Sequence, residues 1–101
     1  MYAARIIGTV VATQKDQRMN SSKMQIVQPV NLITFENEGK PAVAVDAVGA
    51  GDNEIVLVVA GSSARLTELT ENKPVDATIM AIIDYVDIEG KNVFSKGKKE
   101  A

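Results

Sequence analysis

Three parts of this sequence carry residue types that could support chemistry. The segment Gly49-Ala50-Gly51 has the small-residue composition of a phosphate-binding loop, and residues 61–65 (GSSAR) place two serines before an arginine. Three further residues are aspartates that each border an apolar run: Asp46, Asp76 and Asp84. Phosphate binding, nucleophilic attack by serine and cation binding are the chemistries that these residue types serve elsewhere.

The composition lacks two residue types that enzymes often use for catalysis. The 101-residue chain contains neither cysteine nor histidine, so it lacks the commonest general base near neutral pH and the commonest transition-metal ligand. A disulfide or a thiol nucleophile is impossible. The net charge is −2, with two Tyr and two Phe as the aromatic residues, whereas nucleic-acid grooves need a basic surface and stacking rings. We therefore predict no catalytic residues, no cofactor, no metal and no nucleic-acid partner.

A turn is the favoured interpretation of residues 49–51. Phosphate loops lie between a strand and a helix, but the next element here, residues 55–59, has the composition of a strand. The three aspartates most simply accept hydrogen bonds from exposed backbone N–H groups at strand ends, and this role is favoured over a cation site.

The serines of residues 61–65 are interpreted as helix caps. Ser62 and Ser63 have no histidine to act as a base, and a nucleophile elbow needs glycine where Arg65 stands. Arg65 would lie in the first helical turn, where a cation opposes the helix dipole. We expect it to contact a carboxylate or carbonyl, either in this chain or in a neighbouring one.

The elements that must position these residues are mostly strands. Residues 2–13 carry apolar groups on both faces, which predicts a strand inside a barrel or under a partner subunit, with a bend or bulge at Gly8. Pro29 predicts an edge or a break in the second strand. The remaining predictions are strands over 24–35, 42–48, 54–60 and 75–86, a helix over 64–70, and a hairpin over 88–96 turning at 89–92.

These elements predict a mainly β fold, a small five-stranded OB-like β-barrel with one short helix and a C-terminal hairpin. Periodicity alone leaves the strand order open. Residues 1–96 are predicted to form a single domain and residues 97–101 a frayed tail. No segment has the pattern of a targeting peptide or of a membrane helix, which needs about 20 apolar residues. The expected location is the cytoplasm, without a membrane partner.

Six blocks in one order give the chain a resemblance to a known family. They are residues 4–15 (ARIIGTVVATQK), 43–51 (VAVDAVGAG), 54–58 (EIVLV), 61–65 (GSSAR), 73–77 (KPVDA) and 82–84 (IID). This set resembles the EutN/CcmL family, the vertex proteins of bacterial microcompartments. The resemblance extends over nearly the whole chain.

The resemblance implies a structural, non-enzymatic role. Members of the family assemble as cyclic homopentamers at the corners of a polyhedral shell whose facets are hexameric shell proteins. The implied partners are therefore other copies of the chain and those hexamers, and the implied location is a microcompartment shell. Carried over onto this sequence, the subunit contacts are expected at Gly49, Ala50, Gly51, Ser62, Ser63 and Arg65.

Two other functions remain as alternatives at this stage. One is a monomeric OB-type module that binds single-stranded nucleic acid or oligosaccharide, whose signature is alternating aromatic and basic residues on exposed strands. The other is a small enzyme that uses the aspartates, which requires a pocket gathering two of them.

Overall fold

The computed structural model describes residues 1–11, 23–61, 64 and 76–96. These residues contain seven strands: β1 (Tyr2–Val10), β2 (Met24–Pro29), β3 (Ala42–Asp46), β4 (Ile55–Ala60), β5 (Ala77–Ile82), β6 (Tyr85–Ile88) and β7 (Lys91–Ser95). Within these same ranges, no helix is long and apolar enough to cross a membrane.

The first five strands close into a barrel with the order β1-β2-β3-β5-β4. Neighbouring strands are antiparallel except for β3 and β5, which run parallel. The pairing of β1 with β4 completes the ring, so the barrel has no free edge. Strands β6 and β7 form a separate two-stranded sheet. The predicted mainly β fold with a five-stranded barrel is confirmed.

Alternating side chains of the barrel strands fill its interior. The residues of this core are small or β-branched: Ala4, Ile6, Val27, Ala44, Ala50, Val56, Val58, Ala77 and Ile79. Because successive residues of a strand point to opposite faces, the intervening positions lie on the outside of the barrel. A second, smaller cluster of Ala3, Val30 and Ile55 lies outside the barrel, and Phe35, Ile83 and Phe94 pack against it.

The predicted irregularity at Gly8 is confirmed as a β-bulge. The register between β1 and β2 shifts between Ile6 and Gly8, so Ile7 is the extra residue. A second shift in the β4–β5 pair lies between Leu57 and Val58, and it leaves Met80 as the extra residue of β5. Bulges increase local twist and bend the strand, which helps short strands to curve around a narrow barrel.

Two strand predictions were too long. The segment 75–86 is two strands, because β5 ends at Ile82 and β6 begins at Tyr85, which pairs with Ser95 in the separate hairpin sheet. The Ile83 N–H still donates to the Ile55 carbonyl (2.8 Å), the next position in the β4–β5 register, so the chain leaves the barrel after Ile83. The second strand ends at Pro29, after which the Asn31 carboxamide oxygen accepts hydrogen bonds from the backbone of the next turn. The hairpin turn lies at Glu89 and Gly90, as predicted.

Other expectations fall outside the described residues. They are the end of the first predicted strand beyond residue 11, the loop before residue 23, the helix beyond Ala64, and the tail 97–101.

Candidate subunit-contact surfaces

The loop that follows β3 is organised by a buried carboxylate. Asp46 Oδ1 accepts hydrogen bonds from the N–H groups of Val48 (2.9 Å) and Gly49 (2.8 Å), and Oδ2 accepts from the N–H of Ala50 (2.9 Å). Gly49 has a φ of 74°, a left-handed conformation that favours glycine. Because these amides already have an internal anionic partner, the turn interpretation holds and the backbone-capping role of Asp46 is confirmed.

The same loop closes one end of the barrel. It enters with the Ala47 N–H donating to the Ile79 carbonyl (3.2 Å) and leaves with the Asn53 N–H donating to the Ile6 carbonyl (2.9 Å). Between these points Ala50 is 1% exposed and belongs to the core. The small side chain at position 50 therefore fills the barrel mouth, while Gly49 remains exposed.

A buried glutamine ties this closing loop to the barrel wall. Gln25 Nε2 donates to Asp46 Oδ2 (3.1 Å) and to the Ala50 carbonyl (2.7 Å). Its Oε1 accepts a hydrogen bond from Thr9 Oγ1 (3.1 Å). A satisfied polar network of this kind specifies one arrangement, because losing any member leaves a buried partner unpaired.

Glu54 connects the loop to the end of the hairpin. Its Oε1 accepts a hydrogen bond from the Gly51 N–H (2.6 Å), and its Oε2 forms an ion pair with Lys96 Nζ (2.7 Å). The hydrogen bond from Lys96 and that from Gly51 lower the pKa of Glu54. The same contact with Glu54 raises the pKa of Lys96.

The hairpin also lies against the barrel through an aromatic pair. The rings of Phe35 and Phe94 stack with centroids 5.1 Å apart. Arg5 Nη2 donates to the Phe35 carbonyl (3.1 Å), and its Nη1 donates to Asn37 Oδ1 (3.3 Å). An open cleft of about 900 Å³ lies between these residues and the hairpin, with Lys96 at its rim. Its two basic residues, Arg5 and Lys96, already have partners within the chain.

The three predicted aspartates differ in their contacts: the Asp46 carboxylate accepts hydrogen bonds from loop N–H groups, whereas Asp76 and Asp84 accept through backbone carbonyls. The Asp76 carbonyl accepts from the Gly61 N–H (2.7 Å), and the Asp84 carbonyl accepts from the Lys96 N–H (2.7 Å). Burial and the negative charge of Asp76 raise the pKa of Tyr2. In the described part of the chain, no group of three or more acidic residues is placed to hold a metal ion.

Of the predicted contact residues, Gly49, Ala50 and Gly51 lie together in the closing loop, whereas Ser62, Ser63 and Arg65 lie outside the described residues. The structure adds large apolar side chains on the outside of the barrel that are not among the contact residues predicted from the sequence. Ile7 is 51% exposed, Val43 49% and Met80 39%. The apolar residues on both faces of the first strand were the signal for part of this surface.

Known sequences similar to this chain share a structural role. The family model for ethanolamine utilisation protein EutN/carboxysome matches residues 1–84. The chain is 42% identical to the carboxysome shell vertex protein CcmL of Nostoc sp., with 95% of each chain covered. It is 38% identical over 87 residues to the microcompartment shell vertex protein GrpN of Rhodospirillum rubrum, covering 86% of this chain and 97% of GrpN.

Solved structures similar to this chain belong to the same kind of protein as the sequence matches. The structure of CcmL from Gloeobacter violaceus has a TM-score of 0.90 and 37% identity, covering 97% of this chain and all of that one (100%). The structure of GrpN from Rhodospirillum rubrum, described as a pentameric microcompartment shell protein, has a TM-score of 0.75 and 38% identity. That match covers 87% of this chain and 98% of GrpN.

Proposed function

The chain belongs to the EutN/CcmL family, and from this membership we propose how it works as a structural shell protein of a bacterial microcompartment. It forms a homopentamer that caps the vertices of a polyhedral shell. The observation that carries this function is the match, over nearly the full length of each chain, to proteins named as shell vertex proteins. One of them has a solved structure described as pentameric.

The mechanism of a vertex protein is geometric. Hexagonal units tile a plane without curvature, so a shell made of hexamers needs five-fold units at its corners to close. A five-fold ring forms when one patch of each subunit meets a different patch of its neighbour and the rotation closes. The partners of the pentamer are therefore hexameric shell proteins at its outer edges.

We place the subunit contacts in the closing loop and in the segment after β4. Their residues are Gly49, Ala50, Gly51, Ser62, Ser63 and Arg65. Support comes from the exposure of Gly49, which allows the backbone of a neighbour to approach closely. Ala50 acts indirectly, because it anchors the loop in the core.

The role is structural rather than enzymatic. The matched relatives are named for their place in a shell and not for a reaction. The sequence supports this conclusion, because it offers no histidine or cysteine for acid–base or nucleophilic chemistry.

The native mass in dilute neutral buffer tests the pentamer. We expect a particle of five chains, each of 10.8 kDa. A single-stranded oligonucleotide and a soluble oligosaccharide should leave that mass unchanged. A monomer that binds either probe would overturn the proposal in favour of the OB-type binding module.

Co-assembly tests the hexamer partners. Purified hexameric shell protein from the same source would be mixed with the chain and imaged by electron microscopy. Closed polyhedral particles are expected with the pentamer, and open sheets or tubes without it. Identical open assemblies in both mixtures would contradict the vertex-capping role.

A further inference from the structure

One outer face of the barrel presents an apolar row across three strands. Gly8 of β1 pairs with Ile26 of β2, and Ile26 pairs with Val43 of β3. A Cβ at Gly8 would lie 3.3 Å from Ile26 Cδ1, so the isoleucine side chain lies over the glycine. Together with the bulge residue Ile7, these residues form what we call face A (Ile7, Gly8, Ile26 and Val43).

A second outer face lies on β4 and β5. Leu57 points outward because its neighbours Val56 and Val58 fill the barrel core. It pairs with Ala81, and the adjacent bulge residue is Met80. We call this surface face B (Leu57, Met80 and Ala81).

Faces A and B lie on different sides of the barrel. In the order β1-β2-β3-β5-β4, the centre of face A is β2, and neither β4 nor β5 is next to β2. Each face contains a bulge that places a large apolar side chain outward, Ile7 at 51% exposure and Met80 at 39%. In a monomer both side chains would be left in water. Because each adjoins other outward apolar residues of its face, the two form contiguous patches, and contiguity marks a contact surface where a single exposed side chain does not.

We propose that face A of one subunit packs against face B of the next copy of the chain around the ring. This inference rests on the proposed pentamer and assigns the strand surfaces that form it. A cyclic ring with one kind of contact requires two different, complementary patches on each subunit. The described residues offer two apolar patches on different sides of one barrel. Ile7 and Val43 of face A and Met80 of face B are exposed, and the other members of the faces are half-buried.

The chain has no cysteine, so introduced cysteines can be crosslinked without interference from native thiols, and this tests the proposal directly. Three variants are needed: Val43→Cys, Met80→Cys and the double variant. Each variant is first assembled into the pentamer and is then treated with a short bis-maleimide. The double variant is expected to give a covalent ladder up to five chains.

The single variants supply the matched controls. Val43→Cys and Met80→Cys should each remain uncrosslinked, because face A does not meet another face A and face B does not meet another face B. Rings reassembled from an equal mixture of the two should yield covalent dimers and nothing larger. Efficient crosslinking of either single variant with itself would overturn the proposal.

Charge insertion gives a second readout. Val43→Asp and Met80→Asp should each reduce the native mass to one chain, with the barrel still folded by its circular dichroism spectrum. Ile33→Asp is the control, since Ile33 is an exposed apolar residue (66%) outside both faces. It should keep the five-chain mass.

The two levels of inference fail separately. If the unmodified chain is a pentamer but the double-cysteine variant gives no ladder and Val43→Asp keeps its mass, the ring exists and faces A and B do not form it. If the unmodified chain is itself a monomer, the proposed function fails first.

Discussion

The Asp46 carboxylate is the most heavily used polar group in the described residues. It accepts hydrogen bonds from three backbone N–H groups and from Gln25, although it lies at the end of a strand that is otherwise apolar. A buried carboxylate is tolerated only where such donors replace its hydration. The closing loop and the barrel wall therefore depend on one residue.

Asp46→Asn tests that dependence. Whichever way the new side chain is oriented, its NH2 group faces N–H donors of the loop, so at least one buried hydrogen bond is lost. We expect the free energy of unfolding to fall by about 2 kcal/mol. Denaturant unfolding at a fixed protein concentration measures the change, with Asp52→Asn, on the exposed part of the loop, as the control. Equal stability of the two variants would contradict this role.

Glu54 makes stability depend on pH in the acid range. Because Lys96 and the Gly51 N–H lower its pKa below the ordinary 4.5, the folded chain binds this proton less readily than the unfolded chain. Its contribution is therefore complete above about pH 4.5 and is lost as pH falls through the lowered pKa. Glu54→Gln should flatten this part of the curve of unfolding free energy against pH. Glu36→Gln, at an exposed loop position, should leave it unchanged.

Arg65 stays a prediction from the sequence. If it makes a partly buried polar contact with a neighbouring subunit, Arg65→Ala strands the partner group and should cost about 2–5 kcal/mol per interface. The measurement is the native mass of the ring over a dilution series, with Lys40→Ala as an exposed control. A variant ring that survives dilution as well as the parent would show that Arg65 has another role.

At the scale of the elements, the hairpin β6–β7 is an appendage of the barrel. Isolated two-stranded hairpins are marginally stable at best, so this one needs the contacts that it makes with the barrel. Those contacts are the Phe35–Phe94 stack, the Lys96–Glu54 ion pair and the packing of Ile83. The family model ends at residue 84, where the hairpin begins.

Phe94→Ala should release the hairpin without unfolding the barrel. Aromatic pairs contribute about 1 kcal/mol beyond the area that they bury, so amide-exchange protection across β6 and β7 should fall at least about fivefold. Barrel amides should keep their protection. Tyr85→Ala, on an exposed residue of β6, is the matched control and should change neither. Loss of protection throughout the barrel would instead make the hairpin part of its core.

The two bulges each place a large apolar residue on the outer surface of the barrel. A regular strand alternates between core and solvent, but the extra residue in each bulge shifts that alternation. In β1 and β5 the extra residues are Ile7 and Met80, both large, apolar and exposed. The curvature of the barrel and the apolar character of its outer faces thus arise at the same positions.

For the whole molecule, an apolar ring contact predicts a weak response to salt. Screening between about 0.1 and 1 M sodium chloride shortens the Debye length from about 10 to 3 Å, but it acts on charges rather than on faces A and B. The dissociation constant of the ring should change little over this range and decrease in ammonium sulfate, which strengthens apolar burial. Sedimentation at several concentrations measures it. Dissociation of the ring by salt alone would indicate a mainly ionic contact.

The sequence by itself determined the fold class and the family. Small and β-branched residues in short runs specify strands, and the absence of histidine and cysteine limits the available chemistry. The bulge at Gly8 was also visible, because glycine acts on the backbone locally. For Pro29 the sequence offered an edge or a break within a longer strand, and the structure shows the break, since β2 pairs on both sides. The order of six sequence blocks was sufficient to identify the EutN/CcmL family, which the family match confirms.

Tertiary structure decided what distant residues do together. The strand order β1-β2-β3-β5-β4 depends on pairings between strands far apart in sequence, which local patterns do not encode. The break between β5 and β6 depends on a distant partner, because Tyr85 pairs with Ser95 of the hairpin instead of continuing along β4. The sequence predicts a turn over residues 49–51, but only the barrel around it shows that Ala50 is buried. Faces A and B likewise exist only because barrel closure buries one side of each strand and leaves the other side for a neighbour.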